Sequence, residues 1–242
     1  MLWISHRGES ADAPENTLEA FILGRERKTD GCECDIYLSR DGKMMVCHDS
    51  TTLRMGGVPL SVEWSTSDEL RAVNVSGSHK DKYPVTRIPF FAETLPEIGA
   101  GRKFYIEIKT GSPMLVEMIR DELAKGVLSA EQTVLISFNF EACKYAKKIM
   151  PQYQVLWLTG DEIPTTEELI AKVKDAALDG VDLYYKAAPH NSPEAVKMMH
   201  DAGLYVAVWT VDDVEDAKAM IAAGVDAITS NCAARVRDAI QA

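Results

Sequence analysis

The chain has 242 residues, of which 46% are hydrophobic and 26% charged, a globular composition with ample material for one large α/β domain. Its formal net charge is −11, and no block of five basic residues occurs anywhere, which argues against a nucleic-acid partner. No stretch approaches the roughly 20 apolar residues that span a bilayer, so stable membrane insertion is not expected.

Met1-Leu2-Trp3-Ile4-Ser5 leads directly into a polar motif, without a basic start or a long apolar core, which fits either a cytoplasmic protein or one whose leader has been removed. The five cysteines, Cys32, Cys34, Cys47, Cys143 and Cys232, form no CxxC pair. They read as reduced and mostly buried thiols, not as a zinc site.

Short apolar runs alternate with helical patterns along the chain. Strands are expected at 2–5, 31–38, 103–108, 133–137, 154–158, 181–184, 204–209 and 227–229. Runs such as Tyr205-Val206-Ala207-Val208 are apolar throughout, as in parallel strands buried on both faces. Asp12 and Pro14 are expected to open the first helix, with Leu18, Phe21 and Ile22 as its apolar stripe. Ser192-Pro193 opens another, carrying Val196 and Met199, and a third carries Val214, Ala217 and Ile221. Leu178-Asp179-Gly180-Val181-Asp182-Leu183 and Ala222-Ala223-Gly224-Val225-Asp226-Ala227 echo each other, each a helix end, a glycine stop and a new strand. Eight strands with as many helices predict a (β/α)₈ TIM barrel spanning 1–242. No GxGxxG follows the first strand, which disfavours a doubly wound sheet.

One segment, 51–88, breaks the alternation. It holds Gly56-Gly57, Pro59, Gly77 and Pro84, with one short helix expected near Thr66–Ala72 behind a Thr66/Glu69 capping box. An insertion of this length after a barrel strand either caps the mouth or forms a surface excursion around Leu60, Trp64 and Leu70.

The chemistry concentrates near the start. Glu33 and Asp35 are two apart on a strand and project to one face, where like charges demand a cation or a shared proton. Glu107 and Lys109 share a face at the C-terminal end of the next long strand, where barrel active sites form. Three converging carboxylates suit Mg²⁺ or Ca²⁺ better than zinc. His6 and His48 bracket them as groups able to exchange protons near neutrality. Arg7 either binds phosphate through its planar fork or holds Glu15 or a metal carboxylate, and Asn16 either touches the metal shell or caps the first helix. Trp209 either lines the organic part of a ligand or belongs to the core. Lys186, just past the sixth strand, is either a second phosphate contact or, as expected, an exposed lysine; His79, His190 and His200 read as surface or loop residues, and Asn231 ends the last strand, facing the pocket or without a firm role. There is no GxSxG, Walker loop or HExxH.

Taken in order, these residues resemble the glycerophosphodiester phosphodiesterase family. The resemblance rests on His6-Arg7-Gly8, Pro14-Glu15-Asn16-Thr17, Gly31-Cys32-Glu33-Cys34-Asp35, Asp41-Gly42 with His48-Asp49, Ile88-Pro89, Glu107-Ile108-Lys109, Ser137-Phe138, Trp209-Thr210-Val211 and Gly224-Val225-Asp226. It implies a barrel with an insertion after the His-Asp motif. It also implies a divalent cation, Mg²⁺ or Ca²⁺, held by Glu33, Asp35 and Glu107, with His6 and His48 as general base and acid. Arg7 and Lys109 would neutralise a phosphate. The implied reaction is attack of the substrate's own glycerol hydroxyl on phosphorus, then hydrolysis of a cyclic phosphate to glycerol 3-phosphate and an alcohol. The implied partner is a small-molecule glycerophosphodiester. The sequence departs from the family pattern at Phe90-Phe91, Ser230-Asn231 and Arg54-Met55, which bears on the alcohol side more than on the chemistry. The rival readings are a lysophospholipase D-type hydrolase at a membrane surface and a non-catalytic barrel that binds a phosphorylated ligand.

Overall fold

The computed structural model describes residues 1–160 and 162–242. Eight parallel strands close into a barrel: β1 (Leu2–Ser5), β2 (Gly31–Leu38), β4 (Lys103–Ile108), β5 (Thr133–Ser137), β6 (Gln154–Thr159), β7 (Gly180–Tyr184), β8 (Tyr205–Trp209) and β9 (Ala227–Ser230). Pairing runs in sequence order around the ring, and Ser5 beside Cys32 and Ser230 beside Ser5 close it through β1. A ninth strand, β3 (Met44–Val46), folds back antiparallel on β2 across the Asp41-Gly42 turn. The expected (β/α)₈ barrel is thus the observed fold.

Strand alternation divides the core in two. Ile4, Tyr105, Val134, Ile136, Leu156, Leu158, Ala207 and Ala227 fill the barrel interior. Their strand neighbours, among them Cys34, Ile106, Leu135, Val155, Val181 and Val206, face the surrounding helices. Those helices are α1 (Leu18–Glu26), α4 (Phe91–Ile98), α5 (Pro113–Leu123), α6 (Phe140–Ile149), α7 (Thr166–Asp175), α8 (Pro193–Asp201), α9 (Val214–Ala223) and α10 (Ala233–Gln241). Side-chain caps at Thr17, Asn139, Thr165, Ser192 and Asp213 satisfy their first free N–H groups. No helix among the described residues is long and apolar enough to cross a membrane.

Several local expectations are corrected. Helix α1 starts at Leu18 behind a Thr17 cap, not at Asp12 or Pro14, because Arg7, Gly8 and Asn16 take left-handed conformations that coil the preceding loop. Its buried stripe is Ala20, Phe21 and Gly24, with Leu18 and Ile22 only half covered. On α9 the buried face is Ala217, Met220 and Ala223, and Ile221 is exposed. His190 lies in a loop but is fully buried: Thr166 Oγ1 meets Nδ1 at 3.0 Å, and the Ile163 carbonyl lies 2.8 Å from Nε2. All five thiols are free, and four are buried.

The excursion after β3 carries α2 (Leu53–Gly56), α3 (Ser67–Arg71) and a 3₁₀ turn at Gly77–His79. Its apolar cluster is Met45, Val62, Leu70, Val73, Val75 and Ile88, with Leu60 packed on it. Trp64 does not take part; it is 76% exposed.

Candidate active site at the C-terminal mouth of the barrel

The register sets Asp35 beside Glu107 on adjacent parallel strands, and Glu33 lies two residues back on the same face as Asp35. One carboxylate oxygen from each of Glu33, Asp35 and Glu107 lies within 4.8 Å of the others, and all three residues are buried. Such crowding is visible in their protonation. Burial, then Asp35 and Glu107, push Glu33 well above the usual carboxylate range. Burial and Asp35 raise Glu107 to about 8. Burial also opposes ionisation of Asp35, but Lys109, Arg7 and His48 outweigh it and hold Asp35 well below its ordinary value.

Lys109 Nζ sits 2.9 Å from Glu107 Oε1 and 3.2 Å from Asp35 Oδ1. The Asp35 contact is within ion-pair reach but outside hydrogen-bonding geometry, so that Oδ1 stays buried without a hydrogen-bond donor. An all-oxygen set with an undonated buried oxygen fits a hard divalent cation such as Mg²⁺ or Ca²⁺, and no thiol or imidazole belongs to it.

Of the two roles that the sequence left open for Arg7, the structure shows it holding carboxylates, and its side chain also lines the cavity. Its Nη1 donates to Glu15 at 3.0 Å, its Nε lies 3.4 Å from Asp35, and its backbone N–H donates to Glu33 at 3.0 Å. Asn16 supports the triad: its Nδ2 donates to Asp35 Oδ2 at 2.7 Å, while the helix cap falls to Thr17.

Each histidine has a braced ring. His6 Nδ1 is 2.8 Å from Asn231 Oδ1, and the Asn231 amide is oriented by Asp212, which accepts from Asn231 Nδ2 at 2.6 Å and from its backbone N–H at 2.8 Å. An amide oxygen only accepts, so this network assigns the His6 proton to Nδ1 and leaves a lone pair on Nε2, 3.9 Å from Glu33. Burial, then Arg7, push His6 down to about 4, so its ring is neutral at neutral pH. His48 Nδ1 lies 2.7 Å from Asp49 Oδ1, and Asp49 Oδ2 accepts from Arg54 Nε at 2.7 Å. Arg54 also grips Glu15 with both terminal nitrogens at 2.7 Å, so the insertion is tied to the loop that carries Arg7.

A cavity at the barrel mouth brings His6, Arg7, Glu33, His48 and Glu107 together on one side. Phe138, Trp209, Ile136 and Leu158 form an apolar wall opposite, with the Phe138 and Trp209 rings edge to face at 5.3 Å. Trp209 thus lines the cavity while also packing against the barrel-interior cluster. Lys186 points away, half-exposed and 3.7 Å from Asp216. The residues that sequence reasoning missed are Asp182, Asp212 and Thr229, and Asn231, at the end of the last strand, takes the specific role of bracing His6. They reach the site from the far end of the chain and show no spacing pattern in sequence.

The model of the glycerophosphoryl diester phosphodiesterase family matches residues 6–234. Glycerophosphodiester phosphodiesterase of Caldanaerobacter subterraneus subsp. tengcongensis is 31% identical, over 95% of this chain and 93% of its own length. That of Bacillus subtilis is 26% identical, over 96% and 83%. In fold, the chain superposes on an Oleispira antarctica phosphodiesterase solved with sn-glycerol-3-phosphate, with a TM-score of 0.89 at 22% identity, covering 99% of this chain and 96% of that one. With the matched model spanning nearly its whole length, the chain belongs to the glycerophosphoryl diester phosphodiesterase family and is a phosphoric diester hydrolase.

Proposed function

We propose that this protein hydrolyses glycerophosphodiesters to glycerol 3-phosphate and an alcohol, with a divalent cation, Mg²⁺ or Ca²⁺, held by Glu33, Asp35 and Glu107. The observation that carries this reading is one cavity lined by two braced histidines, Arg7, Glu33 and Glu107, with the third carboxylate, Asp35, buried within 4.8 Å of those two. The cation, when bound, supplies Lewis-acid stabilisation of charge on the phosphate oxygens.

His6 is the general base: its Nε2 lone pair takes the proton of the attacking glycerol hydroxyl as that oxygen bonds to phosphorus. His48, with Nδ1 fixed on Asp49, delivers a proton to the departing alkoxide as the phosphorus–oxygen bond breaks. Water then opens the cyclic phosphate with the roles of the two rings reversed. Arg7 stands against the phosphate, and Lys109, behind two of the carboxylates, adds a second positive charge. Trp209 and Phe138 give the organic part of the substrate an apolar wall.

The test is release of glycerol 3-phosphate from a panel of glycerophosphodiesters with Mg²⁺, with Ca²⁺ and with EDTA. Metal-dependent release is expected, and His6→Ala and His48→Ala should each fold and lose on the order of 100-fold or more in kcat. Full activity after chelation would refute the metal assignment. A second reading, a lysophospholipid hydrolase, draws on exposed Leu53, Val58 and Trp64 of the insertion. It predicts faster turnover of lysophosphatidylcholine vesicles than of glycerophosphocholine in the same assay.

A further inference from the structure

One buried carboxyl in the cavity has no part in the chemistry above. Asp182 lies on β7 and pairs in register with Leu158 and Ala207, both members of the barrel interior. Its own neighbours Val181 and Leu183 face the helices, so its side chain points into the barrel and lines the cavity. Thr229, on β9 beside the interior residue Ile4, lines the same cavity. Both residues are 1% exposed. Among the described residues no hydrogen-bond partner reaches Asp182 Oδ1 or Thr229 Oγ1.

Two unpartnered polar atoms inside a packed barrel are destabilising, and buried polar groups nearly always find partners. Neither serves the backbone. The Asp182 carbonyl takes the indole N–H of Trp209 at 3.1 Å, while its carboxyl stays free. Burial, then Glu107, raise Asp182 to about 8, so the group is predominantly a neutral carboxylic acid near pH 7, able to donate and accept at once. A neutral acid and a threonine hydroxyl bring no positive charge to a phosphate, which Arg7 supplies in the same cavity. They match an alcohol, which also donates and accepts.

We propose that Asp182 and Thr229 form the hydroxyl-binding floor of the cavity and determine specificity for the glycerol moiety. This inference rests on the glycerophosphodiester reading and names the residues that recognise its glycerol end. A site whose buried groups are left unpaired by an analogue lacking the hydroxyls rejects that analogue strongly.

The test compares binding of glycerol 3-phosphate with that of methyl phosphate, which keeps the phosphate and lacks the hydroxyls, by calorimetry on the metal-loaded protein. The wild type is expected to favour glycerol 3-phosphate. Asp182→Ala should lose at least tenfold in glycerol 3-phosphate affinity and keep methyl phosphate within twofold, and Asp182→Asn, isosteric with the neutral acid, should recover most of the loss. Thr229→Val, which keeps volume and backbone pairing, should show the same selective loss at smaller size and gives the answer even where Asp182→Ala fails to fold. An unchanged preference in both Asp182→Ala and Thr229→Val would overturn the inference while leaving the reaction class intact. A wild type that binds neither ligand and releases no glycerol 3-phosphate would instead overturn the reading beneath it, and the inference with it.

Discussion

Gly8 holds the loop that presents His6 and Arg7, and replacing it with alanine should be far more harmful than the same change at another left-handed glycine. Its φ is +79°, and a Cβ there would stand 2.5 Å from the backbone carbon and the Cβ of Ala20, in the first turn of α1. Gly42, at the β2–β3 turn, has a similar φ of +72° but nothing within 4 Å of an added Cβ. The left-handed conformation costs alanine about 1–2 kcal/mol, partly offset by the roughly 0.4–1 kcal/mol gained from a stiffer unfolded chain. Gly42→Ala should therefore lose only about 0.5–1 kcal/mol. Gly8→Ala meets the same strain plus overpacking against rigid backbone, on the order of 1–3 kcal/mol, for a total of about 1.5–4 kcal/mol. Urea unfolding of the two variants measures the difference directly. Activity should separate as well, because displacement of the loop carries off the Arg7 N–H that donates to Glu33 at 3.0 Å. A Gly8→Ala protein as stable as Gly42→Ala, within about 0.5 kcal/mol, would refute the clash argument.

Asn231→Leu should lower kcat roughly tenfold or more with KM nearly constant, because the His6 ring loses the acceptor that fixes its tautomer; stopped assays at saturating substrate decide this, and an unchanged kcat would reject the brace. Hydrogen bonds from Ser39, then Ser67, lower Asp41 to about 2, which ties the β2–β3 turn to α3. A depressed carboxylate stabilises above its unfolded pKa near 3.9 and loses that contribution as pH falls toward 2, so the urea midpoint should fall more steeply from pH 5 to pH 3 in the wild type than in Asp41→Ala; parallel slopes would count against it. Burial pushes the Cys32 and Cys143 thiols up to about 12, so iodoacetamide at pH 8 should leave both unmodified in the native protein and label them promptly in urea, as read by mass spectrometry.

What was legible in the sequence follows from short-range geometry. Glu33 and Asp35, and Glu107 and Lys109, could be paired because strand alternation fixes side-chain direction two residues at a time. The barrel could be read from alternating apolar runs and helical stripes, since those periodicities are local. What escaped depends on closure. Asn231 meets His6 only because β9 lies beside β1, which joins residues 225 positions apart. Asp182 could not be told from a surface aspartate until its register with Leu158 and Ala207 placed it inside. His190 drew no expectation of burial, because the Thr166 hydroxyl and Ile163 carbonyl that satisfy its ring come from a neighbouring loop and helix. Trp64 failed in the other direction. Its size suggested a core residue, but Val62, Leu70 and Val73 already fill the small cluster beneath the insertion.

The charge pattern around the cavity explains why the insertion and the site belong together. Glu15, Glu33, Asp35, Asp49 and Glu107 are linked through Arg7, Arg54 and Lys109, five carboxyl groups against three permanent cations. Arg54 comes from the insertion and neutralises Glu15 and Asp49, which leaves Arg7 and Lys109 to face the buried triad. Without Arg54, Glu15 would claim more of Arg7, and the triad would be still more negative. Even with it, positive charge is short by two. The raised positions of Glu33 and Glu107 register the same deficit, since crowded negative charge disfavours their ionisation. A single divalent cation among their oxygens would supply both charges at once, where a monovalent one would not. The proposed divalent cation therefore answers to the charge of the whole network as much as to the three oxygens that would touch the ion.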